Sequence, residues 1–186
     1  MKRVFIAINL PKRVRKKLAK VQEDIRVNFE VDPVKWVSED NLHITLAFLG
    51  VVEESTLKAL KNKMEDFNFS KFKILLDDVK YVPSRDKAKM IWTTGESREL
   101  ILLKKDVDTI LNKVSGLENN SDEFIPHVTL GRVQKLKFKR QPLEEIPLLE
   151  DVFVDLKFKV ESVDIMESKL RKGGPTYTKI KSINLN

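Results

Sequence analysis

A chain of 186 residues, 41% apolar and 34% charged, has the length and composition of one compact domain and needs no second one. It contains no cysteine, which excludes disulfide scaffolds, thiolate nucleophiles and cysteine-bound metals and fits a reducing, cytoplasmic setting. The 35 Lys and Arg against 28 Asp and Glu leave a net charge of +7, which favours an anionic partner such as nucleic acid or a phosphorylated metabolite.

Lys2 to Asn9 reads as the first strand. Its apolar run, Val4 to Ile8, is too short for a signal-peptide core and is broken by Asn9-Leu10-Pro11, so no targeting segment is expected. Nothing in the chain approaches the roughly 18 uninterrupted apolar residues of a membrane span. Pro11 falls where proline suits the first turn of a helix, and Val14, Leu18, Val21 and Ile25 give that helix one apolar stripe. The face made by Lys12, Arg13, Arg15, Lys16, Lys17 and Lys20 reads as solvated. Val34 to Val37 forms a short strand around Trp36, a residue that suits either the core or a stack with an RNA base. Ser38-Glu39-Asp40-Asn41 is then a turn into a strand that Gly50 ends.

A second helix is expected from about Glu54 to Phe67, with Leu57, Leu60, Met64 and Phe67 on one side. Lys71 to Tyr81 and Lys89 to Thr94 read as a strand pair joined by Pro83-Ser84-Arg85-Asp86. A third helix, roughly Glu96 to Val114, buries Leu100, Leu103, Val107, Ile110 and Val114 and stops at Ser115-Gly116. The turn-rich Asn119-Asn120-Ser121-Asp122 precedes another strand. Residues 134 to 150 carry Lys and Arg, then Pro142 and Pro147, and read as a long, mobile loop. Phe153 to Ser168 and Thr176 to Ile183 are the last strands, joined by the basic turn Arg171-Lys172-Gly173-Gly174-Pro175.

Two of these strands share a grammar. In Asn41 to Gly50, His43 and Thr45 lie on one face while Leu42, Ile44, Leu46 and Phe48 form an apolar row for the core. In Pro126 to Arg132, His127, Thr129 and Gly131 share a face opposite Val128 and Leu130. These are the chain's only two histidines, and each is followed by Thr at the second place and Leu at the third. A single imidazole beside an apolar strand is ordinarily structural; two in the same pattern, nearly half a chain apart, are not easily so explained. The elements alternate as an α+β chain too irregular for a doubly wound parallel sheet, and they suggest a single bilobal domain over residues 1–186. Each lobe would present one His-x-Thr strand to a shared cleft, with helices outside. No phosphate-binding glycine loop, zinc-helix or serine-hydrolase motif occurs.

Imidazole, with an ordinary pKa of about 6.5, lets one copy take a proton while another gives one near neutrality. Displacement at phosphorus needs that division of labour, and a Thr hydroxyl on the same face can hold a non-bridging phosphate oxygen. The Lys135 to Arg140 run and Arg171-Lys172 are candidates for the cleft mouth.

His43-Ile44-Thr45-Leu46 and His127-Val128-Thr129-Leu130 resemble the paired HxTx motifs of the two-histidine phosphoesterases, among them the RNA 2′,3′-cyclic phosphodiesterases also called 2′-5′ RNA ligases. The likeness extends over Arg3 to Pro11, Lys35-Trp36-Val37, Asn41 to Gly50, Pro126 to Arg132, Glu167 to Leu170 and Gly174 to Tyr177. It implies a bilobal fold with pseudo-twofold symmetry and a cofactor-free, metal-independent opening of a 2′,3′-cyclic phosphate RNA end to a 2′-phosphate. His43 would be the general acid and His127 the general base, an assignment the two near-copies themselves leave open. Thr45, Thr129 and Arg132 would bind phosphate. Strict alternation puts Arg132 on the wrong face, and a bulge at Gly131 is expected to correct it. A monomer acting on RNA, tRNA halves included, is the implied arrangement. The alternatives are an RNA-binding or end-joining protein with incidental hydrolysis, and, more weakly, a metal-dependent hydrolase.

Overall fold

The computed structural model describes residues 1–117 and 124–186, so the turn expected at Asn119 to Asp122 lies outside the described residues. The first elements are β1 (Lys2–Asn9), α1 (Lys12–Arg26), β2 (Val34–Trp36), a 3-10 turn (Glu39–Asn41), β3 (His43–Val52) and α2 (Glu54–Lys63). There follow β4 (Phe72–Leu76), β5 (Asp78–Val82), β6 (Met90–Thr94), α3 (Arg98–Leu111) and β7 (His127–Val133). A short α4 (Lys135–Phe138) and a 3-10 turn (Leu143–Glu145) lead to β8 (Leu156–Val160), β9 (Ser162–Arg171) and β10 (Gly174–Asn184). The fold is α+β with antiparallel pairing between its strands.

One large sheet has the order β10-β9-β1-β3-β7-β6-β5, with β2 added beside β7, and β4 pairs with β8 apart from it. The two His strands are neighbours at its centre, yet they share a single residue pair, Ile44 against Val128. Elsewhere β3 keeps to β1 and β7 to β6, so the sheet divides into a β10-β9-β1-β3 part and a β7-β6-β5 part that part company at this joint. The first part is completed by the C-terminal hairpin rather than by consecutive chain.

Three strand boundaries differ from the sequence expectation. Lys71 to Tyr81 is two strands, because the chain turns at Asp77 and sends β4 to β8 and β5 to β6. The crossing there is so close that a Cβ on Gly95 would stand 1.7 Å from the Leu75 carbonyl oxygen. Phe153 to Ser168 is likewise β8 and β9, in separate sheets. Gly50, at φ +68°, does not end β3, which runs on to Val52 past a one-residue slip against β1 at Leu49.

The helices keep their stripes with small shifts. Pro11 stands just before α1, and Val14, Leu18 and Ile25 are buried while Val21 is only half-buried beside a buried Gln22. In α3, Ser97 caps the N-terminus by accepting the Leu100 N–H at 3.1 Å, and Leu100, Leu103, Val107 and Leu111 are buried, with Ile110 at the margin. Val114 is buried past the helix end. Residues 134 to 150 are not a free loop: Phe138, Ile146 and Leu149 enter the core. Arg85 donates to the carbonyls of Leu143 and Ile146, and the Tyr81 hydroxyl to that of Pro147 at 3.1 Å. Polar side chains thus cap backbone groups that would otherwise need water.

Candidate functional site

Each motif histidine is fixed in the same way. Nδ1 of His43 lies 2.7 Å from the carbonyl oxygen of Asn41, and Nδ1 of His127 lies 2.7 Å from that of Ile125, two residues back in both strands. A carbonyl only accepts, so each Nδ1 carries the hydrogen, and Nε2 is the nitrogen left for chemistry. Nε2 of His43 is 3.0 Å from the Thr45 hydroxyl.

The register of the central pair, continued one residue either way from Ile44 and Val128, sets His43 across from Thr129 and Thr45 across from His127. His43, Thr45, His127, Thr129 and Arg132 all line one cavity of ≈ 320 Å³, together with Val37, Asn41, Phe48, Met90, Trp92 and Tyr177. The structure therefore brings the two histidines, the two threonines and Arg132 together in one cavity.

Arg132 reaches the cavity through a slip in the ladder. Ile91 pairs with Gly131 and Trp92 with Thr129, so Leu130 is the extra residue and the next side chains change face. The extra residue is thus Leu130, one place before the Gly131 expected; what calls for glycine at 131 is close packing, since its Cβ would come within 2.3 Å of a Val34 methyl and 3.2 Å of the Trp36 ring. The same slip occurs in β3. Ile6 pairs with Ala47 and Ala7 with Thr45, which leaves Leu46 unpaired. Phe48, expected in the core row, is instead 66% exposed and on the cavity wall, while Ala47 is buried. Its signal in the sequence was its equivalence to Arg132, five places after the histidine in each motif.

Two side chains outside the motifs complete the walls. Trp92 stacks on His127 with ring centroids 3.7 Å apart and planes at 17°. Tyr177 stands edge-on to His43 at 5.2 Å, and buried Phe5 is 5.1 Å from the same ring. Trp36 is not a cavity residue: its Nε1 donates to Asp32 at 3.0 Å and its ring packs on the core. Nor do the Lys135–Arg140 run or Arg171-Lys172 line the cavity, although Tyr177 belongs to the same hairpin as the latter.

Both imidazoles are pushed below the ordinary 6.5, chiefly because burial disfavours the charged form. For His43 the positive charges of His127 and Arg132 add to the effect, while the Asn41 carbonyl opposes it. The Ile125 carbonyl opposes it for His127. Among the described residues no cluster of three or more His, Cys, Asp or Glu is placed to hold a metal ion, and no helix is long and apolar enough to cross a membrane.

A profile of LigT-like phosphoesterases matches residues 8–92. The RNA 2′,3′-cyclic phosphodiesterase of Methanocaldococcus jannaschii is 31% identical over 179 residues, which cover 96% of this chain and 98% of that protein. A crystal structure from Thermus thermophilus shares the fold with a TM-score of 0.82 at 24% identity, over 98% of this chain and 97% of the other. Escherichia coli LigT crystallised with 3′-AMP aligns at a TM-score of 0.77 and 25% identity, over 100% of this chain and 98% of that one. With a relative matched along nearly the whole of both chains, this chain belongs to the LigT-like phosphoesterases, the two-histidine family of the RNA 2′,3′-cyclic phosphodiesterases.

Proposed function

We propose that this protein opens 2′,3′-cyclic phosphate ends of RNA to 2′-phosphomonoesters, with His43 and His127 as its acid and base. The observation that carries this is the pairing of two tautomer-fixed imidazoles, each with a threonine beside it, in one cavity of ≈ 320 Å³. The relatives' name and the nucleotide bound to E. coli LigT support the substrate class.

In this scheme Nε2 of His127 takes a proton from water as the oxygen attacks phosphorus. The bond from phosphorus to O3′ breaks, and His43 gives its Nε2 proton to the departing oxygen. The product keeps phosphate on O2′ and a free 3′-hydroxyl. Thr45, Thr129 and Arg132 hold the non-bridging oxygens, where charge grows in the transition state. Thr45 must leave its contact with His43 to do so, which makes the substrate's arrival the event that frees the acid. No step calls on a metal or cofactor. The single domain of residues 1–186 contributes one motif from each part of the sheet and acts as a monomer in the cytoplasm. A 5′-hydroxyl in place of water would use the same two proton transfers to form a 2′-5′ link between tRNA halves.

The test is product analysis of an oligonucleotide ending in a 2′,3′-cyclic phosphate, in EDTA. A 2′-phosphate from the wild type and intact substrate from a His43→Ala, His127→Ala double variant are expected. Appearance of a 3′-phosphate would reverse the two histidine roles, and loss of activity on chelation would overturn the metal-free scheme.

A further inference from the structure

Beyond Val128, where β3 leaves it, the edge of β7 is taken by β2, and the register sets Lys35 directly across from Arg132. Residues so paired point to the same side of the sheet, with Cβ atoms about 5 Å apart. The neighbouring side chains agree. Val34 is buried and Trp36 packs on the core, whereas Val37, on the Lys35 side of the chain, lines the cavity together with Arg132. Lys35 therefore stands exposed at the rim, beside the cation already inside.

Like charges directly opposite each other destabilise a strand pair, and nothing here relieves the repulsion. Among the described residues neither Lys35 nor Arg132 forms an ion pair, and the guanidinium's hydrogen-bond partner is the Met90 sulfur, 3.9 Å from Nη1. The acid nearest to Lys35 in the chain, Asp32, is used on the Trp36 side of the strand. There it accepts from the Val34 N–H at 2.8 Å, from Trp36 Nε1 at 3.0 Å and from Arg26 Nε at 3.1 Å.

Two uncompensated cations side by side, one in the cavity and one at its mouth, match two phosphates in succession. We propose that Lys35 binds the phosphate on the 5′ side of the terminal nucleoside, the first phosphodiester of the RNA chain, while Arg132 holds the cyclic phosphate; the inference rests on the cyclic-phosphate reading above. A cyclic mononucleotide leaves this second site empty, whereas the end of an RNA chain fills it. Lys35 thus tells a chain end from a free cyclic nucleotide without reading sequence, because a phosphate is the same on every nucleotide.

The test sets cytidine 2′,3′-cyclic phosphate against its 5′-phosphorylated form, two esters that differ only in the phosphate assigned to Lys35. Wild-type kcat/KM should favour the 5′-phosphorylated ester by about fivefold at low salt, the upper range for an exposed charge pair. The preference should fade in about 1 M salt, where the screening length falls to ~3 Å. Lys35→Met, which keeps the stem and removes the charge, should bring the ratio close to one, and Lys35→Arg should keep it. Lys16→Ala, on the exposed face of α1, should leave it as in the wild type. A ratio unchanged in Lys35→Met, or close to one in the wild type, overturns the second site while leaving the hydrolase standing. Calorimetry with 2′-CMP and cytidine 2′,5′-bisphosphate supplies another readout. Tighter binding of the bisphosphate that is lost in Lys35→Met, without hydrolysis of either ester, would sustain the second site and sink the hydrolase.

Discussion

At the scale of the residue, the two histidines differ less in their bonds than in their surroundings. Both are pinned through Nδ1 to a carbonyl two residues back, but Trp92 stacks on His127 while Tyr177 and Phe5 flank His43, where the charges of the second imidazole and Arg132 add to the effect of burial. Replacing either by Ala should lower kcat by at least ~10² if each supplies one proton transfer, as proposed. Burial holds both pKa values below 6.5 in the free protein, and the proposed scheme needs one ring charged and the other neutral. The bell of kcat/KM against pH, which reports the free enzyme, should therefore centre below pH 6.5. A bound phosphodiester favours the charged imidazoles, so the limbs of kcat should sit at higher pH than those of kcat/KM. Paired pH–rate profiles check both statements, and a kcat/KM optimum above pH 7 would contradict the first.

At the scale of the element, the site depends on two one-residue slips, and one of them is braced from behind. Gln22 on α1 is buried, and its amide donates to the carbonyls of Val37 at 2.8 Å and Leu130 at 2.7 Å, at the slip that turns Arg132 to the cavity. Gln22→Leu keeps the bulk but leaves the Val37 carbonyl without this partner, which should cost about 1–3 kcal/mol. For a chain of this length that is a Tm loss of roughly 2–4 °C per kcal/mol, read by calorimetry. Gly131→Ala should cost a similar ~1–3 kcal/mol by pressing on Val34 and Trp36, and should raise KM as Arg132 is displaced. A variant as stable as the wild type would show that β2 yields freely at that point. The C-terminal hairpin is held at the same depth by Asp164, fully buried and bound by Asn9 at 2.7 Å, by Lys179 at 3.0 Å and by Ser182.

At the scale of the whole molecule, the chain carries a net charge of +7 and holds a cavity large enough for one nucleotide rather than a duplex. Under the proposed function the charge would act on the RNA body and the cavity on its end. KM for an oligonucleotide should rise steeply with salt, because each phosphate contact on a single strand releases counterions, with a slope near −0.7 per contact in log K against log salt. KM for a mononucleotide 2′,3′-cyclic phosphate should rise far less. Equal salt dependence for the two substrates would show that the surface charge plays no part in recognition.

The sequence by itself determined the paired motifs, the family they belong to and most of the scaffold. The repeated His-x-Thr-Leu, the period-two strands around it and the helical stripes are local patterns, and local patterns are legible because side-chain direction follows from backbone period alone. Tertiary structure decided what depends on register between strands: Arg132 and Phe48 on the cavity wall, Trp92 rather than Trp36 as the cavity's tryptophan, and the division of two long strands among different partners. A slip of one residue reverses every side chain beyond it, and nothing in Leu46 or Leu130 alone announces one. The cavity itself exists because β3 and β7 touch at one pair and then separate, a property of two strands remote in the chain.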